Sequence, residues 1–345
     1  MTVAGNGVRG FKGDGGPATA AAFYSPSAVA FDILGNMYVA DTQNNRIRKV
    51  TPAGLISSIA GNGTLGFGGD GGAATAASLS GPYGLAIDAF SNIYIADTQN
   101  NRIRRVTSGG TISTFAGNGT AGFSGDGGSS ISASLNFPRS IAIDVSGNVF
   151  IADTGNRRIR KITPGGIIST VAGNGNEGFS GDGGAATRAS LGVTYGVAID
   201  ASSNIYIADS GNHRIRKVTS GGVISTVAGN GTVGFSGDGG PATAASLSPV
   251  GVTISASGNI YIPDSENNRI WRVTPVGIIS IVAGNGIVGL SGDGGPATAT
   301  SLSYPIAVAF DSTNSIYIAD SYNNRIRPLQ QNLWGDSGSG SRPKL

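Results

Sequence analysis

The sequence predicts an all-β protein, a six-bladed β-propeller of four-stranded antiparallel blades whose N-terminal strand closes the ring by joining the last blade. Three observations lead there. Three separate motifs each recur six times in one register along the 345 residues. Each repeat divides into four short apolar runs separated by turn residues. The chain also begins at the end of a fourth strand and leaves the repeat after a third one, so each terminus supplies what the other lacks.

The motifs set the period. Ala-Gly-Asn-Gly starts at Ala4, Ala60, Ala116, Ala172, Ala228 and Ala283. Gly-Asp-Gly-Gly carries Asp14, Asp70, Asp126, Asp182, Asp238 and Asp293. Asp-x-x-Asn-x-Arg starts at Asp41, Asp97, Asp153, Asp209, Asp264 and Asp320. Successive copies are 56 residues apart, except for one step of 55 near residues 247–251.

The second repeat shows the elements in order. Gly84–Asp88 is a short apolar strand, followed by a turn over Ala89–Asn92. Ile93–Asp97 is rich in β-branched and aromatic residues, which suit a pleated surface. Thr98–Asn101 has the Asn and Asp chemistry of a tight turn. Arg102–Val106 and Thr111–Ala116 are the third and fourth strands, with Thr107–Gly110 turning between them. Strands this short with turns this short pair as an antiparallel meander. A long connection then runs from Gly117 to about Pro138. Its Pro-Ala-Thr-Ala counterparts, from Pro17, Pro241 and Pro296, suggest one or two helical turns with proline at the first helical position. Phe11, Phe67, Phe123, Phe179, Phe235 and Leu290 are expected to plug these loops, as are Phe23, Leu79, Leu135, Leu191, Leu247 and Leu302.

Four-stranded units of this kind form either a propeller or a solenoid. The phase shift between the termini favours the propeller, because it pairs a sheet edge that would otherwise be open. The predicted domains are residues 1–328, the propeller, and residues 329–345, a Gly/Ser-rich tail or linker in which Trp334 could anchor the first part. Met1 leads straight into the first predicted strand; no signal peptide is read there, and an excised domain that has lost one is the open alternative.

Composition narrows the function. There are 58 glycines without a three-residue period and no cysteine, which excludes disulfides and thiolate chemistry. No apolar run is long enough to span a bilayer, so no membrane insertion is expected. The formal charge of +3 is a small excess for a nucleic-acid binder. Of the 20 acidic residues, only Glu177, Glu266 and Asp336 fall outside repeated positions. The lone histidine, His213, occupies a turn position. An active site needs an asymmetric set of groups with shifted pKa values, and little is left here to build one. The expectation is therefore a non-enzyme with no resident cofactor. Calcium at the Gly-Asp-Gly-Gly loops is a minor alternative, since each loop offers one carboxylate to an ion that takes six to eight oxygens.

Ile151–Lys161 (Ile-Ala-Asp-Thr-Gly-Asn-Arg-Arg-Ile-Arg-Lys), with its five sister copies, resembles the NHL repeat. The resemblance covers about residues 1–328 and is most specific in the Asp-x-x-Asn-x-Arg-Ile core. The long Gly-rich loop is similar to that of the NHL arrays of bacterial extracellular and teneurin-like proteins. It implies a six-bladed propeller that binds protein, RNA or glycan, at an extracellular or cell-surface location.

Two sets of residues become candidates. The first is structural: each motif aspartate is expected to cap its turn through backbone amides and pair with the arginine five residues on. That gives Asp41–Arg46, Asp97–Arg102, Asp153–Arg158, Asp209–Arg214, Asp264–Arg269 and Asp320–Arg325. The second is the set of positions that differ among copies. At the start of the first strand these are Ser27, Tyr83, Arg139, Tyr195, Val250 and Ile306. In the turn between second and third strands Tyr322 stands out, with Arg157 and His213 nearby. Tyr83, Arg139, Tyr195, Tyr322, Arg157 and His213 are thus the candidate binding residues for a protein or glycan. Two rivals remain open: an RNA or anionic polymer on the basic third strands, and a propeller hydrolase or lyase with a metal in the central channel. A monomer is expected.

Overall fold

The computed structural model describes residues 2–329. Residues 330–345, which hold most of the expected tail and Trp334, lie outside the described residues. The last strand runs Arg325–Leu329, one residue past the expected domain boundary.

Six antiparallel sheets follow one another along the chain, each a meander with its strands in sequence order. Blade two is representative: Pro82–Ile87, Ile93–Asp97, Arg102–Val106 and Ile112–Ala116. The second strands are buried on both sides, as in Ile93–Asp97. They read as continuous apolar runs because neighbouring blades cover both faces. Blade five is the exception: its first strand has only two residues, Thr253–Ile254, next to the step of 55.

Blade six holds three strands of its own, Pro305–Phe310, Ile316–Asp320 and Arg325–Leu329. The N-terminus completes it. The Val3 amide donates to the Ile326 carbonyl at 3.0 Å, and the Ile326 amide donates to Ala4 at 2.9 Å. The core is divided into six clusters, one at each junction between neighbouring blades, so no sheet face is left bare. The cluster of Ala4, Phe23, Val29 and Val39 with Ala309, Ala319 and Ile326 seals the last blade to the first.

The long loops do more than connect. The first five descend along the outer edge of the following blade: in the first, Gly15 N–H donates to the Ile56 carbonyl, and Ile56 N–H to Gly16. The exposed edge of a fourth strand is thereby partly paired, which suppresses edge-to-edge association. Each loop then makes one three-residue 3-10 turn, such as Ala18–Ala20. This is shorter than one or two α-helical turns, and Pro17 precedes it with extended backbone rather than sitting inside it. Of the expected plugs, Phe23, Leu79, Leu135, Leu191, Leu247 and Leu302 are buried. Phe11 and its counterparts are not plugs. They stay more than 40% exposed, with arginines stacked against the rings: Arg46 Cζ lies 3.7 Å from the Phe11 centroid. Gly61 has φ +84°, and a Cβ there would collide with the Asn45 carbonyl oxygen, so the Ala-Gly-Asn-Gly turn admits only glycine at that place.

Candidate ligand-binding face

The repeated acids and arginines form one network per blade, and it corrects the expected pairing. Asp97 and Arg102 do stand opposite each other in the ladder. Yet Asp97 pairs with Arg104 at 3.3 Å, both side chains being fully buried. Arg102 instead donates to the carbonyls of Asn100 and Asn118 and stacks on Phe67 at 3.8 Å. Asp41, Asp153, Asp209 and Asp320 likewise take Arg48, Arg160, Arg216 and Arg327, seven residues on, and not Arg46, Arg158, Arg214 or Arg325. The partner is the diagonal residue on the same face, within reach of a long side chain. A β-bulge between Ile103 and Arg104 also shifts the pairing of the third strand with the fourth at this arginine.

The same arginine reaches the Gly-Asp-Gly-Gly loop. Arg104 bonds Asp70 at 2.6 Å, while the other Asp70 oxygen accepts from the Thr114 hydroxyl of the outermost strand. In blade one that second oxygen takes the Ser58 amide. Five of the six carboxylates offered as calcium ligands therefore face arginine. Nor, outside blade five, do the motif aspartates cap their own turns through backbone amides. Asp97 accepts from the Ser80 amide, in the incoming loop, and from Asn100 Nδ2. Burial pushes Asp41 and Asp153 up to about 6, against the pull of their amide, asparagine and arginine donors. The two motifs are thus halves of one device that docks each loop onto its blade.

Blade five lacks the arginine and has Trp271 in its place. Asp264 accepts from the Trp271 indole N–H at 2.7 Å, not from Arg269. The indole stacks on Phe235, with centroids 5.3 Å apart. Asp238, left without its arginine, accepts the Ile281 amide.

Arg157 and His213 occupy a turn position that is elsewhere asparagine, and the structure shows what that asparagine does. Asn101 Oδ1 accepts the amide of Phe137 in the next blade. Asn45, Asn268 and Asn324 strap Gly81, Tyr304 and Ser25 in the same way. The four strapped residues all have positive φ, between 48° and 55°. Where Arg157 and His213 stand, the residues 36 places on are Val193 and Pro249, and neither has positive φ. Proline has no amide to give. Arg157 pairs outward with Glu177 at 2.7 Å, and His213 Nδ1 is enclosed without a hydrogen-bond partner. Neither lines the channel. Sequence comparison within the chain carried this signal, as a substitution correlated at a fixed offset of 36.

The variable positions of the first strands do converge. Ser27, Tyr83, Arg139, Tyr195, Val250 and Ile306 all line one cavity of about 120 Å³, where the six innermost strands begin. Arg139 lies between tyrosines from the blades on either side, its Cζ 4.8 Å from the Tyr83 ring and 4.4 Å from the Tyr195 ring. Burial pushes the Tyr83 hydroxyl up to about 12, although Arg139 pulls the other way. Tyr322 is outside the cavity, 61% exposed, and stacks on Tyr304 with centroids 4.7 Å apart. Tyr304, not singled out from the sequence, is raised by burial and then by the nearby Tyr322, Tyr195 and Glu266, so these groups share one end of the ring.

Comparison with known proteins fits this geometry. The teneurin NHL domain family matches residues 118–180 and 172–236, and the NHL repeat family matches residues 247–273 and 302–327. The chain is an NHL-repeat propeller. Over 331 residues it is 30% identical to Protein SUPPRESSOR OF QUENCHING 1, chloroplastic, of Arabidopsis thaliana, covering 90% of this chain and 31% of that protein. Over 357 residues it is 28% identical to Teneurin-1 of Homo sapiens, covering 92% of this chain and 12% of that one. The NHL-repeat propeller thus spans less than a third of each of these relatives. Among solved structures, a Bacteroides thetaiotaomicron protein of unknown function superposes with TM-score 0.69 at 18% identity, covering 95% of this chain and 74% of that one. A streptogramin B lyase superposes with TM-score 0.56 at 13% identity, covering 89% and 93%. At such identities the likeness is one of fold.

Proposed function

We propose that this NHL-repeat propeller is a non-catalytic interaction module, binding protein or glycan through the face where the innermost strands begin, in an extracellular or cell-surface protein. One observation carries the reading: the ring repeats itself nearly sixfold, but at this channel mouth the six equivalent positions differ and gather two tyrosines and an arginine. Tyrosine and arginine are enriched at binding hot spots. The match to the teneurin NHL domain family supports an interaction role and the proposed location.

The chemistry of the mouth supports the non-catalytic side. Its lining, among the described residues, contains no carboxylate and no imidazole. No three His, Cys, Asp or Glu side chains group as a metal ligand set among those residues. The basic third strands give little support to an RNA surface, since the central arginine of five of them is held between two carboxylates. No helix of the described residues is long and apolar enough to cross a membrane.

The test uses defined arrays of glycans and extracellular protein domains, probed with the full chain. Ligands found should be lost by a Tyr83→Ala, Tyr195→Ala, Tyr322→Ser triple variant. They should be kept by Phe90→Ser, a change on an exposed turn of the opposite face, where Phe90 is 80% exposed. Ligands retained by the triple variant and lost by Phe90→Ser would place binding on the other face and end the reading.

A further inference from the structure

We infer that Arg139 is a receptor for a single carboxylate group, presented by a ligand that enters along the channel axis. This deepens the reading above and rests on that face being a binding surface.

The argument starts from how arginines are satisfied in this protein. Arg48, Arg104, Arg160, Arg216 and Arg327 each hold carboxylates. Arg46, Arg102, Arg158, Arg214, Arg269 and Arg325 donate to backbone carbonyls. Arg139 does neither. Among the described residues its guanidinium has no ion pair and no hydrogen bond, and its Nε is enclosed without an acceptor. A half-buried, unpaired charge is costly to keep. Nothing in the blade requires it, because five sister copies fold with serine, tyrosine, valine or isoleucine there.

The surroundings prepare it for one kind of ligand. The guanidinium carbon lies over both the Tyr83 and the Tyr195 rings, and its N–H donors are left for a ligand. That fork matches a carboxylate in a bidentate arrangement. Both neighbours are phenols, and the raised Tyr83 hydroxyl stays neutral at physiological pH, so among the described residues no anion pairs with the charge. Glu266, an acid of the same end of the ring, acts on Tyr304 without an ion pair to Arg139. The cavity of about 120 Å³ has room for a carboxylate and a few attached atoms, leaving the rest of the ligand over the Tyr304–Tyr322 stack.

Two ligand sources share this chemistry, the uronate of an acidic sugar and the free C-terminus of a peptide. D-glucuronate and N-acetylglycine represent them, with D-glucose and N-acetylglycinamide as uncharged counterparts. Each is titrated into the full chain while the Arg139 Nε–H resonance and tyrosine ring signals are followed by NMR. The expected result is saturable binding of at least one acid, with a shift of the Arg139 Nε–H signal. The uncharged counterpart should bind at least about tenfold more weakly. Whichever acid binds more tightly identifies the source. Arg139→Gln should lose at least about tenfold in affinity, and Arg139→Lys, which keeps charge but not the fork, should fall between. Equal binding of charged and uncharged probes overturns the inference, and this comparison needs no variant. So does an acid affinity unchanged by Arg139→Gln in a protein that melts normally. If array ligands bind through this face while neither acid does, the carboxylate site falls and the interaction reading stands.

Discussion

The buried arginine found in five of the six third strands is where single residues decide stability. Arg104 is fully enclosed between Asp97, also fully enclosed, and Asp70 at the loop. Removing one partner of a buried pair leaves an uncompensated charge, at a cost of about 3–5 kcal/mol. Arg104→Met should therefore lower the free energy of unfolding by about that much in denaturant titration. The chain contains its own control in blade five, where Trp271 supplies an N–H to Asp264 and a ring to Phe235. Arg104→Trp should accordingly be clearly less damaging than Arg104→Met, because Asp97 keeps a donor and Phe67 keeps a flat partner. Equal losses for the two would mean that the stabilising feature is the charge, not the donor. The same residue-level reasoning explains why Arg102 was the wrong partner to read from the motif. Spacing identifies the residue across the ladder, but which of two arginines on one face turns inward depends on the bulge and on Phe67 offering the other a surface.

At the scale of the element, the long loop is an edge cover with a carboxylate clasp. In blade one Asp14 bonds Arg48 with one oxygen and the Ser58 amide with the other. Asp14→Ala should expose that amide and raise its hydrogen-exchange rate, with a stability loss of about 1–2 kcal/mol, kept modest because the carboxylate is about a third exposed. An unchanged exchange rate at Ser58 would show that the backbone bonds of Gly15 and Gly16 hold the edge alone. The strand positions were legible because period-2 patterning and Asn/Gly turns are local properties. The loop's path was not. Gly-Asp-Gly-Gly announces a turn, but its docking onto a strand more than 40 residues later is set by a partner that local sequence does not specify.

The whole molecule depends on a closed ring. Its last sheet is completed by Val3 and Ala4 on Ile326, and Thr2 adds a bond to Asp293. Deleting residues 1–5 should open blade six, lower the melting temperature and yield oligomers in size-exclusion chromatography, because the freed edge of Arg325–Leu329 is a template for another chain. A deletion variant that stayed monomeric with an unchanged melt would show that the six junction cores close the ring unaided. Closure also creates the candidate site. Ser27 and Ile306 are far apart in the chain yet line one cavity, and Arg139 has tyrosines on both sides only because blades two and four flank blade three.

The sequence alone determined the blade count, the strand order and the shared final sheet, since repetition, alternation and phase are written along the chain. It also marked the first-strand positions that differ among copies. Only the tertiary structure decided which arginine each aspartate holds, that Arg157 and His213 replace an inter-blade strap, and that Arg139 has no ion pair or hydrogen bond among the described residues. Those facts depend on three-dimensional proximity, and a charge is satisfied or stranded by whatever the fold places within about 3 Å of it.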